Sequence, residues 1–182
     1  MTLHTVQILA IPGSLRRDSV NHAALRAAAA AGAVDGVTVT IDSLARTLPL
    51  FDPDLEVAPP STVVRFRAAI ERAAGILMAV PEYAHGIPGA FKNALDWTVG
   101  TGSLYAKPVA VLDVAHGSRG GYVREALDHV FGAMQSDVVR YAVPVAAADR
   151  DAAGELAGPA VLEAVREAVT DFARRIGLHA AV

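Results

Sequence analysis

Residues 75–80, GILMAV, form an unbroken apolar run that a glycine opens and a proline follows. Six residues are too few for a buried helix, and the lack of polar alternation describes a strand covered on both faces. A sheet flanked by helices on each side supplies such cover. His4 to Ala10, Val37 to Ile41, Lys107 to Val114 and Asp137 to Val143 read as four more strands. Helical stretches separate them: Val20 to Ala33, alanine-rich with Gly32 near its end, and Thr62 to Ala74 behind the capping candidate Ser61. AFKNALDWTV (90–99), Tyr122 to Gln135, and about Glu155 to Ile176, stopped by Gly177, follow. Five strands alternating with five helices predict an α/β fold, a doubly wound five-stranded parallel sheet rather than a barrel or a segregated α+β layout. At 182 residues and 53% hydrophobic content, one domain over residues 1–182 accommodates it.

Composition narrows the function. A net charge of −3 gives no basic surplus to hold a nucleic-acid backbone or an anionic membrane, so no nucleic acid and no membrane is expected as a partner. Cysteine is absent, which excludes disulfides, thiolate metal sites and cysteine nucleophiles, and with them the low-molecular-weight tyrosine phosphatases. The N-terminal MTLHTVQILAIPGS has no lysine or arginine before an apolar run that Pro12 cuts short, so no signal peptide is expected. No 18-residue apolar stretch exists to span a bilayer. A cytoplasmic protein acting on small molecules is the expectation. Six scattered histidines show no metal-ligand spacing, and Asp52, Asp54 and Glu56 read as a solvated loop, so no metal is expected.

In doubly wound sheets ligands sit beyond the carboxyl ends of the strands, where strand order reverses. Three loops qualify: SLRRDSVN (14–21), PEYAHGIPG (81–89) and HGSRGG (116–121). The first runs into a helix start, where free N–H groups and the positive dipole end favour an anion. Ser14, Arg16, Ser19 and Asn21 add donors that can wrap one phosphate, while Asp18 or Ser19 can equally serve as a plain helix cap. There is no G-x-G-x-x-G, and neither lysine follows a glycine, so dinucleotide and triphosphate grips are unsupported. In the second loop, prolines and glycines shape a backbone that can aim its amides at a ligand edge, and Tyr83 and His85 add rings. Phe91 and Trp97 read as core or subunit-contact residues. The third loop offers glycines for close approach and Arg119 as a cation. It is no nucleophile elbow, because His116 stands where G-x-S-x-G needs glycine.

GSLRRDSVN and PEYAHGIPGAFKNALDW together resemble the signatures of the NADPH-dependent FMN reductase family, the flavodoxin-like group that includes chromate and quinone reductases. The resemblance runs from the first strand to at least Gly121. It implies a flavodoxin-like sheet of order 2-1-3-4-5 and one non-covalent FMN, with NADPH or NADH as co-substrate. Ser14, Arg16, Ser19 and Asn21 match the family's phosphate-binding positions. Pro81, Glu82 and Tyr83, continuing through Ala84, His85 and Gly86, match the loop beside the isoalloxazine; Gly120 and Gly121 match the glycine pair on its other side. With Gly117, Ser118 and Arg119, these residues make up the expected cofactor site. Two positions depart: Ala84 stands where the family commonly has Asn, and Gly86 where a small polar residue is frequent.

On that resemblance, bound FMN would take hydride from the nicotinamide and give electrons to a small acceptor, so no acid-base residue of the chain is expected to be required. The expected activity is an NAD(P)H-dependent oxidoreductase acting on quinones, free flavin or adventitious acceptors such as chromate or azo dyes. A flavodoxin-like electron carrier and a non-redox flavin-binding module are the alternatives. The resemblance also implies a homodimer or dimer of dimers, with contacts from the apolar residues of LPLFDPDL (48–55) and of the helix bearing Phe91 and Trp97.

Overall fold

The computed structural model describes residues 6–34, 36–116 and 119–179. Five strands, β1 (Val6–Pro12), β2 (Val37–Ile41), β3 (Gly75–Ala79), β4 (Pro108–Asp113) and β5 (Asp137–Ala142), form one parallel sheet in the order β2-β1-β3-β4-β5. The helices are α1 (Val20–Val34), α2 (Ser61–Arg72), α3 (Gly89–Val99), α4 (Gly121–Met134) and α5 (Pro159–His179). Strand order reverses between β1 and β3, which fixes the crevice at their carboxyl ends.

The alternation of side chains along the central strands divides the core in two. Ile8, Ala10, Leu77, Ala79, Ala110 and Leu112 face α1 and α5. Leu9, Ile11, Ile76, Met78, Val109 and Val111 face α2, α3 and α4. The first layer uses alanine in every central strand, and α1 answers with Ala23, Ala24 and Ala28, so small residues on both sides let this helix lie close to the sheet. Where β1 leaves the sheet, the Gly13 amide donates to the Ala79 carbonyl (2.9 Å), and a Cβ on Gly13 would stand 2.6 Å from Val80 Cα. Only glycine fits that approach.

Several expected boundaries shift. His4 lies outside the described residues and β1 runs on to Pro12, whose missing N–H costs nothing at the strand end. Helix α2 begins at Ser61 with Pro60 as its N-cap, and the Ser61 hydroxyl caps nothing. Helix α5 starts at Pro159, a residue suited to a first helical turn, while Glu155 instead pairs with Arg26 at 2.8 Å. Gly177 does not stop α5, which continues to His179. The loop after β2 contains short 3-10 turns at Ala45–Thr47 and Pro53–Glu56.

The motif KNALDW acts within this fold as an anchor for that loop. Asn93 accepts from the Phe51 amide (2.7 Å) and donates to the Pro49 carbonyl (2.9 Å); Trp97 Nε1 donates to the same carbonyl (2.9 Å). Trp97 is 0% exposed, with Phe51 edge-on to it and the Arg67 guanidinium over its ring. Arg67 also donates to the Trp97 carbonyl and to Glu56. Phe91 and Trp97 are therefore core residues and not surface contacts, whereas Leu50 is 84% exposed. Glu56 belongs to this anchor, whereas Asp52, which caps the turn at Asp54, and Asp54 itself are exposed, as a solvated loop requires. Asn93→Ala removes one donor and one acceptor, at about 1–3 kcal/mol. The expected result is a melting point several degrees lower with faster proteolysis of residues 48–57, by thermal melt and limited digestion. An unchanged melt and digestion pattern would refute the anchor.

Candidate functional site

The loop after β1 is built from two hydroxyl turns. Ser14 Oγ accepts from the Arg16 amide (3.2 Å), and Ser19 Oγ accepts from the Asn21 amide (3.2 Å), which makes Ser19 the cap of α1. A hydroxyl that accepts one N–H keeps its own proton for an anion, so capping and ligand binding are compatible here. Ser14 and Asn21 are 2% and 3% exposed, while Arg16 projects into solvent. Asn21 Oδ1 is buried without a hydrogen-bond partner among the described residues. Such an orphan acceptor is uncommon in a finished core and is open to a donor from a water or a ligand. His22, which sequence inspection passed over, holds the loop from behind: its Nε2 donates to the Ser14 carbonyl at 2.8 Å.

Tyr83 to Gly86 close a tight turn, with the Tyr83 amide donating to the Gly86 carbonyl and the Gly86 amide to the Tyr83 carbonyl, both 3.0 Å. Ala84 and His85 both have positive φ, 48° and 58°, the signature of a type I′ turn. Asn and Gly favour that conformation; for Ala and His it costs roughly 1–2 kcal/mol each. Two contacts hold the strained tip in place. The His85 ring stacks on Tyr122 at 4.2 Å between centroids, and the Tyr83 hydroxyl shares a 3.1 Å hydrogen bond with Ser14 Oγ.

The preceding residue links the third loop. Glu82 Oε2 accepts from the Tyr122 and Val123 amides (3.0 and 3.2 Å), so a carboxylate from the loop after β3 caps α4. These helix amides are thus already engaged by an anion rather than free for a flavin. Gly120 has φ 86°, and a Cβ there would meet that of Ala115 at 2.9 Å. Gly121 is the first residue of α4. Arg119 is exposed and donates from Nε to the His116 carbonyl (3.2 Å), and Arg124 pairs with Asp113 at 2.6 Å. Gly117 and Ser118 lie outside the described residues.

These loops enclose a cavity of about 280 Å³ bordered by Asn21, Pro81, Glu82, Asp113, Arg119 and Gly120. Asn21, Pro81, Glu82, Arg119 and Gly120 are thus brought to one space, with Ser14 and Tyr83 tied to each other beside it. Ala84 and His85 form the exposed tip of the turn. The roles of His22, Asp113 and Arg124 have no local sequence signature, because each depends on a partner from another loop or helix. Among the described residues no group of three histidine or acidic side chains is placed to hold a metal, and no helix is long and apolar enough to cross a membrane.

In sequence and fold the chain is similar to known proteins. Residues 6–150 match the family model of NADPH-dependent FMN reductases. A quinone reductase of Pseudomonas putida is 36% identical over 119 residues, 63% of this chain and 63% of that protein. A probable NADPH:quinone oxidoreductase 2 of Oryza sativa is 38% identical over 119 residues, 64% and 59% of the two chains. The chain therefore spans less than two thirds of the length of these curated relatives. Among solved structures, the flavoenzyme NAD(P)H:(acceptor) oxidoreductase FerB from Paracoccus denitrificans is similar with a TM-score of 0.77 and 26% identity, covering 96% of this chain and 99% of that one. A flavodoxin, WrbA-like protein from Agrobacterium tumefaciens, at 15% identity and TM-score 0.60 over 96% and 99% of the two chains, shares the fold alone. With its match over residues 6–150 laid on a sheet of order β2-β1-β3-β4-β5, this chain belongs to the NADPH-dependent FMN reductase family.

Proposed function

We propose that the chain is an NAD(P)H-dependent oxidoreductase that holds one FMN non-covalently and delivers reducing equivalents to a small acceptor, a quinone or free flavin. The observation that carries this reading is the buried, unpartnered Asn21 Oδ1 on the wall of the crevice cavity, in the loop whose Ser14, Arg16 and Ser19 suit a phosphate. An acceptor atom at that spot fits a sugar hydroxyl, and the cap of α1 with two serine hydroxyls and an unpaired guanidinium fits a phosphate monoester. Bound FMN supplies the two-electron chemistry. The chain positions it: Arg16, Ser14, Ser19 and Asn21 hold the phosphate and ribityl end. Pro81 to Gly86 and Gly117 to Gly121 flank the ring. Chromate and azo dyes stand as adventitious acceptors.

Glu82 has a different part from its neighbours. By capping α4 it locks the two ring-flanking loops together and keeps the positive helix end from drawing other anions into the cavity. A homodimer or dimer of dimers working in the cytoplasm belongs to the same reading, supported by the exposed Leu50 and Val57 on the anchored loop.

After incubation with FMN and desalting, the purified protein is expected to keep a flavin absorption spectrum that bleaches on anaerobic addition of NADPH; loss of the flavin on desalting would overturn the resident-cofactor reading. Arg16→Ala removes a charge-assisted contact of roughly 1.5–3 kcal/mol and is expected to weaken FMN binding about ten-fold or more in a fluorescence titration. An unchanged affinity would reject Arg16 as a phosphate ligand. Ala84→Asn relieves the left-handed strain and is expected to raise stability by about 0.5–1 kcal/mol by chemical denaturation. A destabilised variant would show that the turn is not strained at this residue.

A further inference from the structure

A second cavity, of about 210 Å³, lies on the β2 side of the loop after β1, bordered by Ser14, Leu15, Arg17, His22, Asp42 and Arg46. It is smaller than the pockets of about 300 Å³ and above that engulf a whole drug-sized ligand, so it suits one end of a longer molecule. Its charges are unbalanced. Arg46 Nη2 donates to the Leu15 carbonyl (2.9 Å) and meets no carboxylate, and the Arg17 guanidinium has no hydrogen-bond or ion-pair partner among the described residues. The acid of this cavity pairs with neither. Asp42 is buried and accepts from the Leu44 and Ala45 amides (3.1 and 2.8 Å), and burial raises its carboxyl above the usual carboxylate range in spite of them.

Arg16, Arg17 and Arg46 thus surround one loop without a carboxylate partner among the described residues. A phosphate monoester carries at most two negative charges and already has Arg16 and the α1 amides, which leaves Arg17 and Arg46 for a second anion. Both cavities border this loop, Ser14 lining one and Asn21 the other. A molecule with one end at the crevice can therefore place its other end here.

We infer that this second cavity takes the adenosine end of NADPH, with Arg17 and Arg46 on the 2′-phosphate, and so sets the preference for NADPH over NADH. The inference rests on the reading of the chain as an NAD(P)H-dependent flavoenzyme. It accounts for two adjacent arginines at 16 and 17 by giving each its own phosphate.

The test uses FMN-loaded protein and two probes that differ only in the 2′-phosphate, adenosine 2′,5′-bisphosphate and 5′-AMP, with binding read by calorimetry. The wild type is expected to bind the bisphosphate at least ten-fold more tightly. Arg17→Ala is expected to cut that preference at least five-fold, Arg17→Lys to keep part of it, and both to leave the FMN affinity unchanged in a flavin titration. Arg17 is exposed and bonded to nothing, so its removal leaves folding intact. Equal or no binding of the two probes to the wild type would overturn the assignment, as would a preference that survives Arg17→Ala. Weaker FMN binding in that variant would also overturn it, by assigning the cavity to the flavin phosphate. A protein that retains no FMN at all would fail at the loading step, which separates failure of the flavoenzyme reading from failure of this one.

Discussion

The three inner strands of this sheet are covered on both faces, and that burial is the constraint from which the rest of the structure follows. Ile8, Ala10, Leu77 and Ala79 on one side and Leu9, Ile11, Ile76 and Met78 on the other fill the middle of the sheet with apolar side chains. Polar chemistry is forced past the strand ends, and the reversal of order between β1 and β3 opens the crevice where it gathers. The cost of burying an unpaired polar group keeps the core apolar and, by the same rule, makes the orphan oxygen of Asn21 informative.

Three loops from different strands would be mobile if each stood alone. Here each is tied to the next: Ser14 to Tyr83 by their hydroxyls, Glu82 to the start of α4 by its carboxylate, and His85 to Tyr122 by ring stacking. The ties offset the strain of a type I′ turn made from alanine and histidine. A rigid crevice of this kind suits a cofactor that does its own chemistry, since the protein's task is then to hold a flat ring in one pose. The same logic governs the loop after β2, which Asn93, Trp97 and Arg67 pin to α3 and α2.

Element type was legible along the whole chain because period and punctuation are local properties. GILMAV could be read as a buried strand from its own six residues. Helix ends were read less well where a distant group decided them: Ser61 has the chemistry of a cap, yet Pro60 takes that position, and Gly177 sits inside a helix that packing carries onward. In the site, Ser14, Asn21, Pro81, Glu82 and Gly120 were recognisable from loop position and motif. His22, Asp113 and Arg124 were not, since a lone histidine or ion pair has no spacing to betray it. Trp97 illustrates the intermediate case, an apolar ring on a helix that could face the core or a subunit until the Pro49 carbonyl was seen at its indole nitrogen.

By itself, then, the sequence determined the layered α/β class, the strand count, the three loops that face the crevice and the motif that marks the family, because each is written in short-range patterns of polarity and turn residues. Tertiary structure alone decided that the Glu82 carboxylate caps α4 and that Ala84 and His85 bend into left-handed backbone. It also decided that Arg17 and Arg46, 29 residues apart in the chain, border one cavity. The physical reason is range. Hydrogen bonds, ion pairs and ring contacts act over a few ångströms, and which groups come that close depends on how strands pair and helices cross, which no short window of residues contains.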